Sequence, residues 1–288
     1  MNSGFLPIDD RHSGLVWLRL CRAVHSVVGL FFVACDGRMA CVGGRSGMLP
    51  DRPLRAVIMG LKENAARVRE RMAAACRRSR RAPEDVKLLA ISKTFPPESI
   101  RAAYEVGLRD FGENRVQEAQ AKRPALSDLS ITWHLVGHLQ TNKAKTAREL
   151  FHWVHSVDSL RLAQKLDQAT ALSGGRLPVL LEVNLGGEES KAGVGEAEVA
   201  QLAEQVSQLA TLEVRGLMVI PPFFDDPEQT RPYFRRLREL AEEIDAKKIA
   251  NLSMQDLSMG MSHDFEVAIE EGATIIRVGT AIFGAREG

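Results

Sequence analysis

Cysteine, tyrosine, net charge and long apolar runs are all scarce in this sequence. The four cysteines among 288 residues, Cys21, Cys35, Cys41 and Cys76, lack the paired spacings of a zinc site or a disulfide framework. Only Cys76 lies beyond residue 41, which fits a reduced, cytoplasmic compartment. Formal net charge is +1, from 38 Lys and Arg against 37 Asp and Glu, so no summed field points to nucleic acid or a membrane surface as partner. The one conspicuous apolar run, 27–35, is too short to span a bilayer, which takes about 20 residues. What is present is 45% apolar and 26% charged composition, the balance of an ordinary globular protein.

Residues 1–53 mix Gly, Arg and Cys without helical or strand periodicity apart from that run. Arg19, Arg22 and His25 before it, and Cys35 after a small residue, give it some features of a lipoprotein export signal. The expectation adopted is instead an irregular extension that does not join the fold, disordered or lying upstream of the true start. Met59, at the head of the first periodic helix, would make a natural translation start.

From residue 55 to 78 the apolar positions Val57, Ile58, Leu61, Ala65, Val68, Met72 and Ala75 recur at helical spacing, and the arginine-rich opposite face reads as solvated. Beyond it, β-rich runs at 86–91, 109–112, 133–136, 153–157, 179–184, 214–220, 252–259 and 274–278 alternate with helix patterns near 97–106, 114–122, 141–150, 159–171, 196–210, 228–247 and 263–271. Such alternation implies parallel pairing through right-handed crossovers. Eight units over roughly 230 residues close into an α/β barrel of the TIM type more naturally than they form an open sheet. The expected division is an extension over 1–53 and a (β/α)8 barrel over 55–288. The seventh strand is irregular in pattern and is the weakest of the eight.

In such a barrel, function gathers at the carboxyl ends of the strands, with phosphate often held after the last two. Lys93 follows the apolar run 88–91 directly, so its backbone leaves the core at the mouth. A lysine there either snorkels into water or, with its pKa lowered by partial burial and a nearby cation, attacks an aldehyde. Ser262, expected to cap a helix beginning near His263, and Gly279-Thr280 make either a phosphate cradle or two ordinary loop ends. Arg277 lies inside the eighth strand, where its charge needs an acceptor, either a carboxylate or a pyridine nitrogen.

Five segments carry a family resemblance: 90–94 (Ala-Ile-Ser-Lys-Thr), 111–114 (Phe-Gly-Glu-Asn), 133–140 (Trp-His-Leu-Val-Gly-His-Leu-Gln), 257–262 (Leu-Ser-Met-Gly-Met-Ser) and 277–284 (Arg-Val-Gly-Thr-Ala-Ile-Phe-Gly). In this order they resemble the pyridoxal phosphate homeostasis protein family, whose fold is the barrel of the alanine racemase N-terminal domain. The similarity runs from about Leu61 to Arg286. It implies pyridoxal 5′-phosphate held as a Schiff base on Lys93, with Asn114 on the ring side and Met259 lining the ring face. It also implies Arg277 facing the pyridine nitrogen, with Ser262, Gly279 and Thr280 on the phosphate. Where the family has a tyrosine after Gly-Glu-Asn, this chain has Arg115, which puts that contact in doubt.

The resemblance implies a carrier or buffer in vitamin B6 homeostasis that supplies apo enzymes dependent on the cofactor. No nucleic acid, membrane or metal is expected, and the chain is read as a monomer or weak dimer. The competing readings are a racemase-like enzyme and an aldolase-type barrel with a substrate imine, on which Arg277 has no role. Racemisation needs a second acid/base opposite the lysine. The only tyrosines, Tyr104 and Tyr233, fall in helix patterns, and no β-rich second domain follows Gly284. His134, His138, His155 and His263 are read as structural, with His138 the best placed if turnover exists.

Overall fold

The computed structural model describes residues 32–35, 38–41, 52–187 and 192–285. It divides into two units, Met1–Asp51 and Arg52–Gly288. In the first, Phe32–Cys35 and Arg38–Cys41 pair antiparallel with Cys35 opposite Arg38. The dipeptide between them in sequence is Asp36-Gly37, a strong two-residue hairpin signal, so part of a stretch expected to be irregular carries a ladder. Arg19, Arg22, His25 and residues 27–31 of the apolar run lie outside the described residues.

The second unit opens with α1, Arg52–Arg78, which begins three residues before the predicted start. Eight strands follow: β1 Lys87–Ile91, β2 Asp110–Glu113, β3 Thr132–Leu135, β4 Trp153–Val157, β5 Leu177–Asn184, β6 Leu212–Met218, β7 Leu252–Ser258 and β8 Ile275–Val278. Each pairs in parallel with the next, and β8 returns to β1, with Ile275 beside Lys87 and Val278 beside Ala90. The ring is closed. A two-residue strand, Val194–Gly195, lies beside the end of β5.

Between the strands run α2 Pro97–Glu105, α3 Val116–Lys122, α4 Ala144–Leu150, α5 Leu160–Ser173, α6 Val199–Ser207, α7 Arg231–Asp245 and α8 Phe265–Glu270, and α9 Thr280–Phe283 follows β8. Two side-chain caps open connections on this layer. The Ser159 hydroxyl accepts from Leu162 N–H, and the Asp226 carboxylate from Glu228 N–H. The irregularity of β7 has a cause: its register against β6 breaks between Leu252 and Asp256, and it meets β8 only at Ser258–Ile275.

Strand alternation sorts the side chains into two cores. Ala90, Leu135, Ile276 and Val278 face outward and join the helical layer in one cluster. Leu89, Ile91, Val136, Leu180, Met218 and Ile275 fill the barrel interior. The basic face of α1 is partly used as stitching: Arg71 reaches Glu266 at 2.8 Å and Arg78 reaches Glu270 at 2.6 Å, both on α8. Such half-exposed pairs contribute little each; the docking of α1 on α8 rests on buried apolar contact.

Phe265 is fully buried in that layer, with the Arg71 guanidinium 4.6 Å over its ring. Phe265→Ala should lower the unfolding free energy by about 3–5 kcal/mol in urea titrations, the usual range for emptying a buried aromatic site. A loss under about 1 kcal/mol would mean that α8 is not part of the cooperative core.

Candidate functional site

The loops at the carboxyl ends of β1, β2, β3, β6, β7 and β8 surround a cavity of about 290 Å³. This is near the lower end for small-molecule sites. Six of the seven residues expected at a site, Lys93, Asn114, Ser262, Arg277, Gly279 and Thr280, line it. Met259 does not. It is fully buried in the outer, helix-facing core. Ser258 points into the barrel, so its neighbour points out; the turn at Gly260, φ +86°, then brings Met261 onto the wall instead. A Cβ at Gly260 would press on Phe265 Cα at 2.9 Å, so that turn needs glycine.

Lys93 sits in a turn directly after β1, with Thr94 in the left-handed region at φ +68°. Behind it is a buried polar knot. The Lys122 ammonium donates to Glu113 Oε1 at 2.8 Å and to the Ser92 carbonyl at 2.9 Å, and the Ser92 hydroxyl donates to Glu113 Oε1 at 2.7 Å. The Glu118 carboxylate accepts from Thr94 N–H at 2.8 Å. Burial pushes the Glu113 pKa up against the pull of Lys122 and Ser92. For Glu118, burial acts upward too, but the Thr94 N–H and Lys122 hold its pKa below the usual range. Together these groups fix the backbone on both sides of Lys93. Sequence reasoning missed all of them, although Glu113 and Lys122 nine residues later stand at the two ends of one strand-to-helix connection.

The Arg277 guanidinium is 4% exposed and, among the described residues, has no carboxylate in direct contact. It donates to Ser258 Oγ and to the Val219 carbonyl, both at 2.8 Å. The alternative of a hydrogen-bonded Arg–carboxylate pair is therefore set aside. Burial lowers its pKa to about 10, with Asp264 and Glu182 pulling the other way, so it stays charged near neutral pH.

From Ser258 a hydrogen-bonded column runs down the barrel axis: Ser258 Oγ to His155 Nδ1 at 3.0 Å, His155 Nε2 to His134 Nδ1 at 3.0 Å, and His134 Nε2 to Asp110 Oδ1 at 3.1 Å. Lys87 Nζ lies 3.7 Å from Asp110 at the far end. His134 and His155, considered near the mouth from sequence, thus lie fully buried below it. Burial lowers both their pKa values.

At the opposite side of the cavity, Gly279 N–H and Ala281 N–H both donate to Ser262 Oγ, at 3.2 and 3.3 Å. Ser262 is not the cap of α8 as expected. That helix starts at Phe265, and Asp264 Oδ1 accepts from Met261 N–H at 2.6 Å. The serine hydroxyl instead accepts from backbone N–H groups just after β8 and at the start of α9, donors that an anion entering there could share.

The remaining residues weighed from sequence fall as follows. His138 is half-exposed and its Nδ1 lies 3.2 Å from Asp158 Oδ2. His263 lines the cavity, its Nε2 3.0 Å from the Asp225 carbonyl. Tyr104 on α2 lies under the Arg109 guanidinium, and Tyr233 on α7 lies against Phe224. Neither tyrosine lines the cavity. Gly137 packs its backbone on that of Asn114, where a Cβ would overlap the Asn114 carbonyl.

Over residues 60–287 the sequence matches the family described as alanine racemase, N-terminal domain. It is 48% identical over 229 residues to the pyridoxal phosphate homeostasis protein of Aquifex aeolicus, covering 80% of this chain and 100% of that one. Against the protein of the same name from Pseudomonas aeruginosa it is 46% identical over 227 residues, 79% of this chain and 96% of that one. Among solved structures, PipY of Synechococcus elongatus PCC7942 with PLP bound matches at a TM-score of 0.70 and 43% identity, covering 78% of this chain and 100% of that one.

The axial histidines make a pH prediction. An unfolded histidine protonates near pH 6.5, whereas burial holds His155 well below that in the fold. Below about pH 6.5 the unfolded state therefore binds more protons, and stability falls as pH falls. His155→Gln should flatten the slope of unfolding free energy between pH 6.5 and 5 by up to about 1.4 kcal/mol per unit. Equal slopes in wild type and variant would show that His155 is protonated in the fold.

Proposed function

This chain belongs to the pyridoxal phosphate homeostasis protein family, and we propose that it binds pyridoxal 5′-phosphate as a Schiff base on Lys93. The observation that carries this reading is the donor set on one cavity: an amine at Lys93, a charged guanidinium at Arg277, and a hydroxyl with backbone N–H groups at Ser262 and Gly279. These match an aldehyde, a pyridine nitrogen and a phosphate in turn. When bound, the cofactor supplies an electrophilic carbon conjugated to a pyridine ring.

In this reading Lys93 attaches through its neutral amine. Asn114 flanks the ring. Met261, rather than Met259, is the methionine available to its face. Arg277 donates to the ring nitrogen and keeps it unprotonated, because a guanidinium does not give up its proton at neutral pH. A ring without that proton is a poor electron sink. Ser262, Gly279 and Thr280 hold the phosphate. The chain then acts as a carrier or buffer of a reactive aldehyde, handing it to apo enzymes, without strong catalysis. We place it in the cytoplasm as a monomer or weak dimer; among the described residues no helix is long and apolar enough to cross a membrane.

The full chain, purified and loaded, should show a visible absorbance band that borohydride fixes as a mass increase on the peptide containing Lys93. Lys93→Ala should lose both the band and the adduct; an adduct on another lysine would overturn the assignment. Ser262→Ala should weaken cofactor binding about 5- to 30-fold, the effect of one hydrogen bond to a charged group of roughly 1–2 kcal/mol. Exchange of the α-proton of alanine or serine should stay at background; exchange that depends on Lys93 would favour the racemase reading.

A further inference from the structure

Beside the cofactor cavity lies a second recess of about 270 Å³. The two share Asn114, Val136, Gly137 and Ile220 as a common wall. The polar groups particular to the recess are His138, Glu182 and Asn184. Glu182 stands on β5, two residues beyond the inward-facing Leu180, and so on the same face of the strand. It is 6% exposed, and its Oε2 is buried without a hydrogen-bond partner among the described residues. A buried carboxylate oxygen left unpaired in a cavity is rare, and it points to something that enters.

Among the described residues, the charged groups around Glu182 do not supply what it lacks. Asp158, beyond β4, is another acid, and His138, beyond β3, faces Asp158 at 3.2 Å. Arg277, across on β8, is engaged by Ser258 and Val219. Burial first, and then Asp158, push the Glu182 carboxyl up to about 7 against the pull of Arg277. The recess therefore carries an acid poised near neutrality beside a second acid. Val136, Val183 and Ala192 add a short apolar lining.

We propose that this recess is a binding subsite for the ammonium group of a small primary amine, with Glu182 as its carboxylate anchor. An ammonium brings three N–H donors to a carboxylate that has none. A metal ion fits less well, since among the described residues no group of three or more His, Cys, Asp or Glu is gathered to ligate one. The apolar lining takes an alkyl chain of a few carbons. The inference rests on the reading above for its meaning: an amine seated there would lie across the shared wall from the cavity that Lys93 lines. Its binding does not itself require the cofactor.

The test is calorimetric titration of n-propylammonium into the full chain, with 1-propanol as the uncharged comparison, in cofactor-free and cofactor-loaded protein. The cofactor-free chain should bind propylammonium at least ten-fold tighter than 1-propanol. Binding should strengthen several-fold from pH 6 to pH 8, and near pH 7 it should release protons, seen as heats that vary with the ionisation enthalpy of the buffer. Glu182→Gln should lose at least ten-fold in amine affinity while keeping its cofactor absorbance band and melting temperature. In loaded protein, the band should respond to lower propylammonium concentrations in wild type than in Glu182→Gln. Equal binding of amine and alcohol, or absence of proton release in wild type, would overturn the subsite without any variant. If the chain takes up no cofactor yet binds the amine as described, the cofactor reading fails and the subsite stands. If it takes up cofactor normally and shows no amine binding, the subsite alone fails.

Discussion

A guanidinium enclosed in a barrel has to be answered from within, and the way Arg277 is answered orders much of the interior. With no carboxylate in contact, it rests on a hydroxyl and a carbonyl, and its charge is balanced at longer range by Asp264 and Glu182. Neutral acceptors hold the group in place without cancelling its charge. The side facing the cavity thus remains a strong donor. A directly paired arginine would offer a weaker one.

The column below it also has a direction. Arg277 donates to Ser258, and the column ends at Asp110, whose pKa is lowered: burial pushes it up, but His134 and Lys87 outweigh that. An ionised Asp110 only accepts, so His134 must carry its proton on Nε2 and accept on Nδ1. His155 then donates from Nε2 and accepts on Nδ1, and the Ser258 hydroxyl proton is what it accepts. Both histidines are neutral in this arrangement, in keeping with their lowered pKa values. One tautomer each is fixed by the two ends of the chain. The Ser258 oxygen lone pairs are then turned toward the guanidinium, and Arg277 is held at the geometry the cavity presents.

Much of this was legible because a closed barrel turns sequence order into position. Short β-rich runs alternating with helix patterns marked the strands, and the residues just past several of them met around one cavity, although Lys93 and Gly279 lie 186 positions apart. The misreadings came where parity changes. At 258–262 the left-handed turn at Gly260 exchanges the roles of Met259 and Met261, and it frees Ser262 to face the loop after β8 instead of capping α8. The histidines show another limit: alternation puts His134 and His155 inside, but depth along the axis follows from stagger between strands, which one sequence does not display. Glu182 had a signal, a lone acid among Leu180, Leu181 and Val183 on a strand otherwise apolar inside and out as far as Val183. The value of that signal depended on seeing that nothing answers its Oε2.

The distribution of acids and bases bears on what such a cavity can do to a bound aldehyde cofactor. Proton transfer on both faces of a substrate carbon needs two groups of intermediate pKa on opposite sides. Tyr104 and Tyr233 lie away from the cavity, and His138 is held toward Asp158 on the outer side of the recess. The buried histidines are committed along the axis. On the proposed reading, Arg277, charged throughout the neutral range, would withhold the ring proton that stabilises a carbanion. A lysine on one side and an amine-seeking carboxyl on the other suit exchange of one amine partner for another far better than removal of a C–H proton. On the proposed reading, holding the cofactor and giving it up would follow from the same set of groups.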